Sequence, residues 1–117
     1  MKYMILIYES ETAFRNRGDA ENSGAYWGAY KAYTERLRAS GVMAGGHGLQ
    51  PPFAATTVRV TGGGRTVQDG PYADAKEQLG GFYIIDVPDL DAALDVAAAC
   101  PAATEGAVEV RPLLVMG

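Results

Sequence analysis

Two segments of this chain are apolar at consecutive positions rather than alternate ones: Tyr3-Met4-Ile5-Leu6-Ile7-Tyr8 and Phe82-Tyr83-Ile84-Ile85. Both are short and β-prone, so they read as strands with two apolar faces. Helical periodicity occurs in only two places, near 22–40 and from 89 to about 100. Two helices packed on an antiparallel sheet cover one face and leave no chain for the other. An uncovered apolar sheet face would be a large adhesive patch. A second copy of the chain, packed sheet to sheet, is the economical cover, and a homodimer is expected.

The remaining elements follow from local signals. Lys2 to Tyr8 is the first strand, and residues 9–21, polar and broken by Gly18, are expected as a loop. From Asn22 to Ser40 the residues Tyr26, Tyr30, Tyr33 and Leu37 recur at helical spacing, with Trp27 beside that stripe. Gly41 suits the position after a helix end, where positive φ favours glycine. Val42 to Leu49 is a glycine-interrupted strand. Thr56–Thr61 and Arg65–Asp69 form a hairpin about Gly62-Gly63-Gly64. Gly81 to Val87 is a strand, Asp89 caps the second helix, Pro101 stops it, and Val108 to Val115 is the last strand. The order β-α-β-β-β-β-α-β, with the hairpin set aside, is the split βαβ of a ferredoxin-like α+β fold. A single domain spans residues 1–117.

Composition narrows the partners. With 48% hydrophobic residues the chain needs no metal or disulfide to build a core, and a net charge of -4 without a basic run argues against nucleic acid. The single cysteine, Cys100, reads as a small buried apolar residue and fits a reducing cytoplasm. No membrane span and no signal peptide are expected. One histidine, one cysteine and scattered acids offer no metal-ligand spacing. No cofactor is expected, and Gly62-Gly63-Gly64 lacks the Lys-Ser/Thr and helix of a phosphate loop.

The densest polar stretch runs from Asp69 through Gly70-Pro71-Tyr72-Ala73-Asp74-Ala75-Lys76-Glu77-Gln78-Leu79-Gly80 to Gly81. It is expected as a charged loop at the mouth of the sheet, where sites are commonly built. His47, the only histidine, is a candidate general base because its ordinary pKa lies near neutrality. Its plainer reading is a polar residue between glycines. Asp69 is a candidate partner for it, or else the cap of the Gly70-Pro71 turn. Lys76 and Glu77 are candidates to grip a polar ligand, or else form a surface ion pair. Tyr72 is a candidate pocket wall. Tyr26 and Tyr30 are candidates to wall an aromatic-substrate cleft, against the plainer reading of the whole tyrosine stripe as core.

Taken together, Met1-Lys2-Tyr3-Met4 with Ile7-Tyr8, Gly46 through Gln50-Pro51-Pro52, Thr56-Thr57-Val58-Arg59, Asp69-Gly70-Pro71-Tyr72, Lys76 through Tyr83, Asp89 through Ala93 and Val108 through Pro112 resemble the YCII-related proteins of the DGPF subgroup. The resemblance implies a ferredoxin-like fold that pairs into a dimeric α/β barrel. Some proteins of the subgroup are encoded beside an extracytoplasmic-function sigma factor. A few relatives in the wider family are small lyases that act on aromatic breakdown products, with a His–Asp pair implicated. Those relatives carry the histidine on the first helix, whereas Tyr26 to Tyr33 holds none. The usual Phe after Asp-Gly-Pro is Tyr72 here.

Two classes of function stand. One is a cofactor-free lyase or isomerase acting on a small carbonyl or aromatic-derived compound, with His47 and Asp69 moving a proton. The other is a non-catalytic dimer that binds a small molecule or regulates a partner.

Overall fold

The computed structural model describes residues 1–73 and 75–116; Asp74, one of the acids in the expected polar loop, and Gly117 lie outside them. The elements are β1 (Lys2–Ser10), α1 (Glu11–Asn16), α2 (Ser23–Ala39), β2 (Met43–Gly48), β3 (Thr56–Thr61), β4 (Gly64–Asp69), β5 (Glu77–Asp86), α3 (Leu90–Ala98) and β6 (Ala107–Pro112). Four strands form one sheet in the order β2-β5-β1-β6, and β3 and β4 form a separate two-stranded sheet. All neighbours in both sheets are antiparallel. This is the ferredoxin-like α+β arrangement with an inserted hairpin.

The doubly apolar strands are used on both sides, but only one side is closed. Tyr3, Ile5 and Ile7 of β1 and Ile85 of β5 meet Tyr33 and Leu37 of α2 and Ala93 and Ala97 of α3 in one buried cluster. Alanines on α3 let that helix lie close to the sheet. The Tyr33 hydroxyl, which needs a partner once buried, donates to the Val96 carbonyl at 2.7 Å. On the opposite face the register pairs Met4 with Ile84 and Leu6 with Phe82. These four side chains and Tyr8 are only half-buried, because none of the described elements covers them.

Local signals place most boundaries. Gly41 follows α2 with φ +76°, and Gly62 and Gly63 turn the hairpin with φ +59° and +80°, the paired positive φ values of a two-residue hairpin loop. Asp89 caps α3, its carboxylate accepting from the Ala92 N–H at 2.9 Å. Cys100 is buried as expected, and burial pushes its thiol up to about 11.

Three expectations are corrected. Residues 9–21 are not a loop: β1 continues to Ser10, whose hydroxyl accepts from the Ala13 N–H at 3.2 Å and starts α1. β5 begins at Glu77 rather than Gly81, because Ser10 and Glu9 pair with Glu77 and Gln78. β6 ends at Pro112, leaving Leu114, Val115 and Met116 exposed beyond it.

Candidate functional site

Strand alternation carries Glu9 to the same face as Tyr3, Ile5 and Ile7, so an acid ends up 2% exposed beside the core. A carboxylate in that position must be paired and hydrogen-bonded. The Tyr26 hydroxyl lies 2.7 Å from both carboxylate oxygens and donates to the group. The Tyr30 hydroxyl donates from 3.2 Å, and Arg17 Nη2 from 2.9 Å.

The segment read as a loop supplies the counter-charge. β1 delivers Glu9, Ser10 caps α1, and α1 returns the chain so that Arg17 reaches back over the carboxylate. Arg17 is then fixed on every side. Its Nε donates to the Tyr26 hydroxyl at 3.0 Å, Nη2 to the Gly80 carbonyl at 3.0 Å, and Nη1 to the Leu49 carbonyl. Its guanidinium carbon lies 4.8 Å from the Phe14 ring centroid and 5.5 Å from that of Trp27.

Gly80 leaves the space this network fills. The β1–β5 register slips here, with Ile7 opposite Gly81 and Tyr8 opposite Leu79, so Gly80 is the extra residue of a bulge. A Cβ on Gly80 would lie 2.5 Å from Glu9 Oε1 and 3.0 Å from Arg17 Nη2. A Cβ on Gly81 would lie 3.0 Å from the His47 carbonyl oxygen of β2.

The network forms one end of a cleft of about 430 Å³ between α2 and the β2–β5 edge of the sheet. Tyr26, Trp27 and Tyr30 wall it on the helix side, and Lys31, Glu35 and Arg38 on α2 also line it. Burial first, and then the Glu9 carboxylate, raise the pKa of Tyr26 and of Tyr30 above the ordinary phenol value. Burial opposes the charge on Arg17, but its bonds to Tyr26 and Glu9 raise its pKa on balance. The cleft therefore offers neutral phenols and a locked ion pair. Such groups orient and hydrogen-bond a polar ligand, and the aromatic rings stack on a planar one.

The structure separates the residues singled out in the sequence. Tyr26 and Tyr30 line the cleft, while Tyr33 and Leu37 of the same stripe are core, so the stripe divides between the two halves of α2. His47 lines the cleft, but its ring does not point in with the tyrosines. It pairs with Phe82, and the two rings lie 6.1 Å apart, on the side opposite Tyr83, whose hydroxyl meets Thr34 of α2 at 2.6 Å. Asp69 ends β4 in the separate hairpin, opposite Thr56. Tyr72 is exposed, with the Arg59 guanidinium 4.8 Å from its ring centroid. Lys76 lines a second hollow with Phe14, Arg15, Pro51, Phe53 and Gln78. Glu77 belongs to the start of β5 rather than to a loop. Glu9 and Arg17, the charged pair of the cleft, were not among the expected site residues. The signal for Glu9 was its parity with the apolar positions of β1; Arg17 carried none.

The fold and this cleft place the chain among known proteins. Over residues 1–117 it matches the YCII-related domain, and it belongs to that family. It is 37% identical over 118 residues to an uncharacterized protein of Rhizobium meliloti (strain 1021), a match covering 97% of this chain and 92% of that one. Among solved structures it is similar to 5-chloro-2-hydroxyhydroquinone dehydrochlorinase from Burkholderia phenoliruptrix, in complex with 2,5-dihydroxybenzoquinone. That match has a TM-score of 0.56 and 18% identity, and covers 97% of this chain and 94% of the other. At that identity the likeness is one of fold, the dimeric α/β barrel type.

Proposed function

We propose that this chain is a homodimer whose helix–sheet cleft receives a small planar carbonyl or aromatic-derived compound. It would transform that compound without a cofactor, as a lyase or isomerase. One observation carries the reading: an aromatic-walled cleft ends on a buried, fully hydrogen-bonded Glu9–Arg17–Tyr26 network. A core does not need such a network, and its desolvation is costly. Tyr30, kept protonated and donating to Glu9, would accept a hydrogen bond from a ligand hydroxyl, and Trp27 would stack on the ligand ring. The fold likeness to a protein solved with 2,5-dihydroxybenzoquinone makes that quinone a reasonable first probe. The Asp69-Gly70-Pro71-Tyr72 motif supports the DGPF subgroup.

His47 and Asp69 are proposed as the proton-transfer pair. A second reading, a non-catalytic binding or regulatory dimer, is favoured by a specific observation. The interior ionisable groups of the cleft, Glu9 and Arg17, are spent on one another, and the His47 ring lies with Phe82 on the other side of the sheet. A regulatory role beside an extracytoplasmic-function sigma factor is what the subgroup resemblance would then imply.

Trp27 is the single tryptophan and lines the cleft, so intrinsic fluorescence reports its occupancy. Saturable quenching by 2,5-dihydroxybenzoquinone or related hydroxyquinones, weakened by Tyr30→Phe, is the expected result. Absence of saturable quenching across a panel of carbonyl and phenolic compounds would sink the cleft as a ligand site. Turnover abolished by His47→Ala and by Asp69→Asn supports the lyase or isomerase. Saturable binding with no turnover selects the binding module.

A further inference from the structure

The cleft has a second end, remote from the Glu9–Arg17 network. α2 runs along the cleft from Tyr26 to Arg38, and at the far end Met43 of β2 and Tyr83 of β5 line the sheet side. The charge there is opposite to that of the molecule. The whole chain has 14 acids against 10 bases. The cleft has two acids, Glu9 and Glu35, against three bases, Arg17, Lys31 and Arg38. Glu9 and Arg17 neutralise each other at the first end. The positive excess therefore lies at the second end, with Lys31 and Arg38. Among the described residues, neither of these cations is ion-paired, with Glu35 or with any other acid. At 3.6 residues per turn, Thr34, Arg38 and Lys31 follow one another outward from the buried Tyr33–Leu37 side of α2, and Glu35 is outermost. The helix end does not account for Arg38. Arg36, in the same last turn, serves the helix dipole equally and lies outside the cleft.

The second end also has a hydroxyl pair. Thr34 Oγ1 and the Tyr83 hydroxyl lie 2.6 Å apart. One hydrogen bond between two hydroxyls uses one of their two protons, so the other O–H is left to donate. Burial, the largest cause, raises the pKa of Tyr83, while its bond to Thr34 and the charge on Arg38 pull it down. Arg38 is thus within electrostatic reach of this hydroxyl. Two unpaired cations and a spare O–H form a set of donors without an acceptor. An ionised carboxylate accepts from all of them, and the arginine fork matches its planar shape. The first end makes the reverse demand. Tyr30 donates to Glu9, so its oxygen is left to accept from a ligand hydroxyl. From Tyr30 to Thr34 is about one turn of α2, a rise of about 6 Å. A single six-membered ring with a substituent at each end bridges such a span.

We infer that the cleft selects an anionic ligand, a planar hydroxy acid whose hydroxyl donates to Tyr30 and whose carboxylate is received by Lys31, Arg38 and the Thr34–Tyr83 hydroxyl pair. The inference rests on the cleft proposed above as a ligand site and adds the charge and polarity of what it takes.

Quenching of Trp27 by 4-hydroxybenzoate and by 4-hydroxybenzamide tests it at neutral pH. The two probes share ring and hydroxyl, and only the first is charged. The acid is expected to bind at least about fivefold more tightly than the amide, since exposed ion pairs contribute modestly each. High salt should shrink that advantage. Lys31→Gln/Arg38→Gln should reduce it to within about twofold while leaving the dissociation constant of the amide unchanged. Arg36→Gln removes the same charge from the same helix outside the cleft, and should keep the advantage. Should the double variant misfold, the wild-type comparison of acid with amide, and its salt dependence, give the same reading without any substitution. Acid and amide binding equally, or an advantage that survives the double substitution, would overturn the anionic end while leaving the cleft. Saturable quenching by neither probe nor by any hydroxyquinone would overturn the cleft and the anionic end together.

Discussion

At the scale of single residues, Glu9 has the largest consequences. Removing one partner of a buried ion pair leaves the other charge without compensation, at a cost of about 3–5 kcal/mol. Glu9→Gln keeps the shape and strips the charge beside Arg17, whose side chain is 11% exposed. Thermal or urea unfolding should show a loss of about 3 kcal/mol; an unchanged midpoint would show that the network contributes nothing. Gly80→Ala should be costly for a different reason, since its Cβ would meet the same carboxylate at 2.5 Å. Tyr26, Tyr30 and Tyr33 all have raised pKa values, with burial the largest cause. A phenol whose folded pKa exceeds its unfolded value of 10.0 contributes stability that is complete below that pH and is lost as pH rises past it. Stability should therefore be flat on this account through neutral pH and fall above about pH 10. Ultraviolet absorbance should show these tyrosinates forming only as the chain unfolds; free titration of all seven tyrosines at the ordinary phenol value would contradict it. Glu9 would have been found by continuing the alternation of β1 past Tyr8, where the expected strand stopped. Arg17 was not, because it reaches the site from outside any periodic pattern.

At the scale of elements, local chemistry fixed what lay near its own cause. Asp89 and α3, Gly41 after α2, and the Gly62-Gly63 turn all follow from residues within a few positions of the boundary they set. α1 escaped because its six residues are too few for a period, and its start signal, Ser10, lay inside a stretch that Gly18 made look like loop. The start of β5 escaped because pairing with Glu9 and Ser10 decides it, and pairing is long-range. The tyrosine stripe shows the limit of periodicity: it identified one face of α2 but not where core gives way to cleft. The two capped helices offer a matched test. Loss of either cap, Ser10→Ala or Asp89→Ala, should cost about 1 kcal/mol. Only Ser10→Ala should also loosen the Arg17 network, because α1 is the path from Glu9 to Arg17. Ligand quenching of Trp27 should weaken in Ser10→Ala and stay unchanged in Asp89→Ala. Equal behaviour of the two would show that α1 does not position the cleft.

At the scale of the whole molecule, the doubly apolar strands make a claim that one chain cannot satisfy. The helices bury Tyr3, Ile5, Ile7 and Ile85, while Met4, Leu6, Phe82 and Ile84 on the reverse of the same strands are left half-buried. A face of that kind selects for association, and its contribution to stability then depends on concentration. Each tenfold dilution of a folded dimer that unfolds to single chains should lower its stability by about 1.4 kcal/mol, so the melting temperature should fall steadily with dilution. Leu6→Asp places a charge at the centre of the uncovered face, opposite Phe82, and leaves the helix-covered side untouched. It should yield a monomer whose secondary structure is native and whose melting temperature no longer varies with concentration. Ile5→Ala, one residue away on the other face, is the contrast. It removes a fully buried side chain and should cost about 2–5 kcal/mol while preserving the dilution dependence of the wild type. A wild-type melting temperature constant over a hundredfold dilution, with Leu6→Asp sedimenting like wild type, would mean that the chain tolerates its bare sheet face alone.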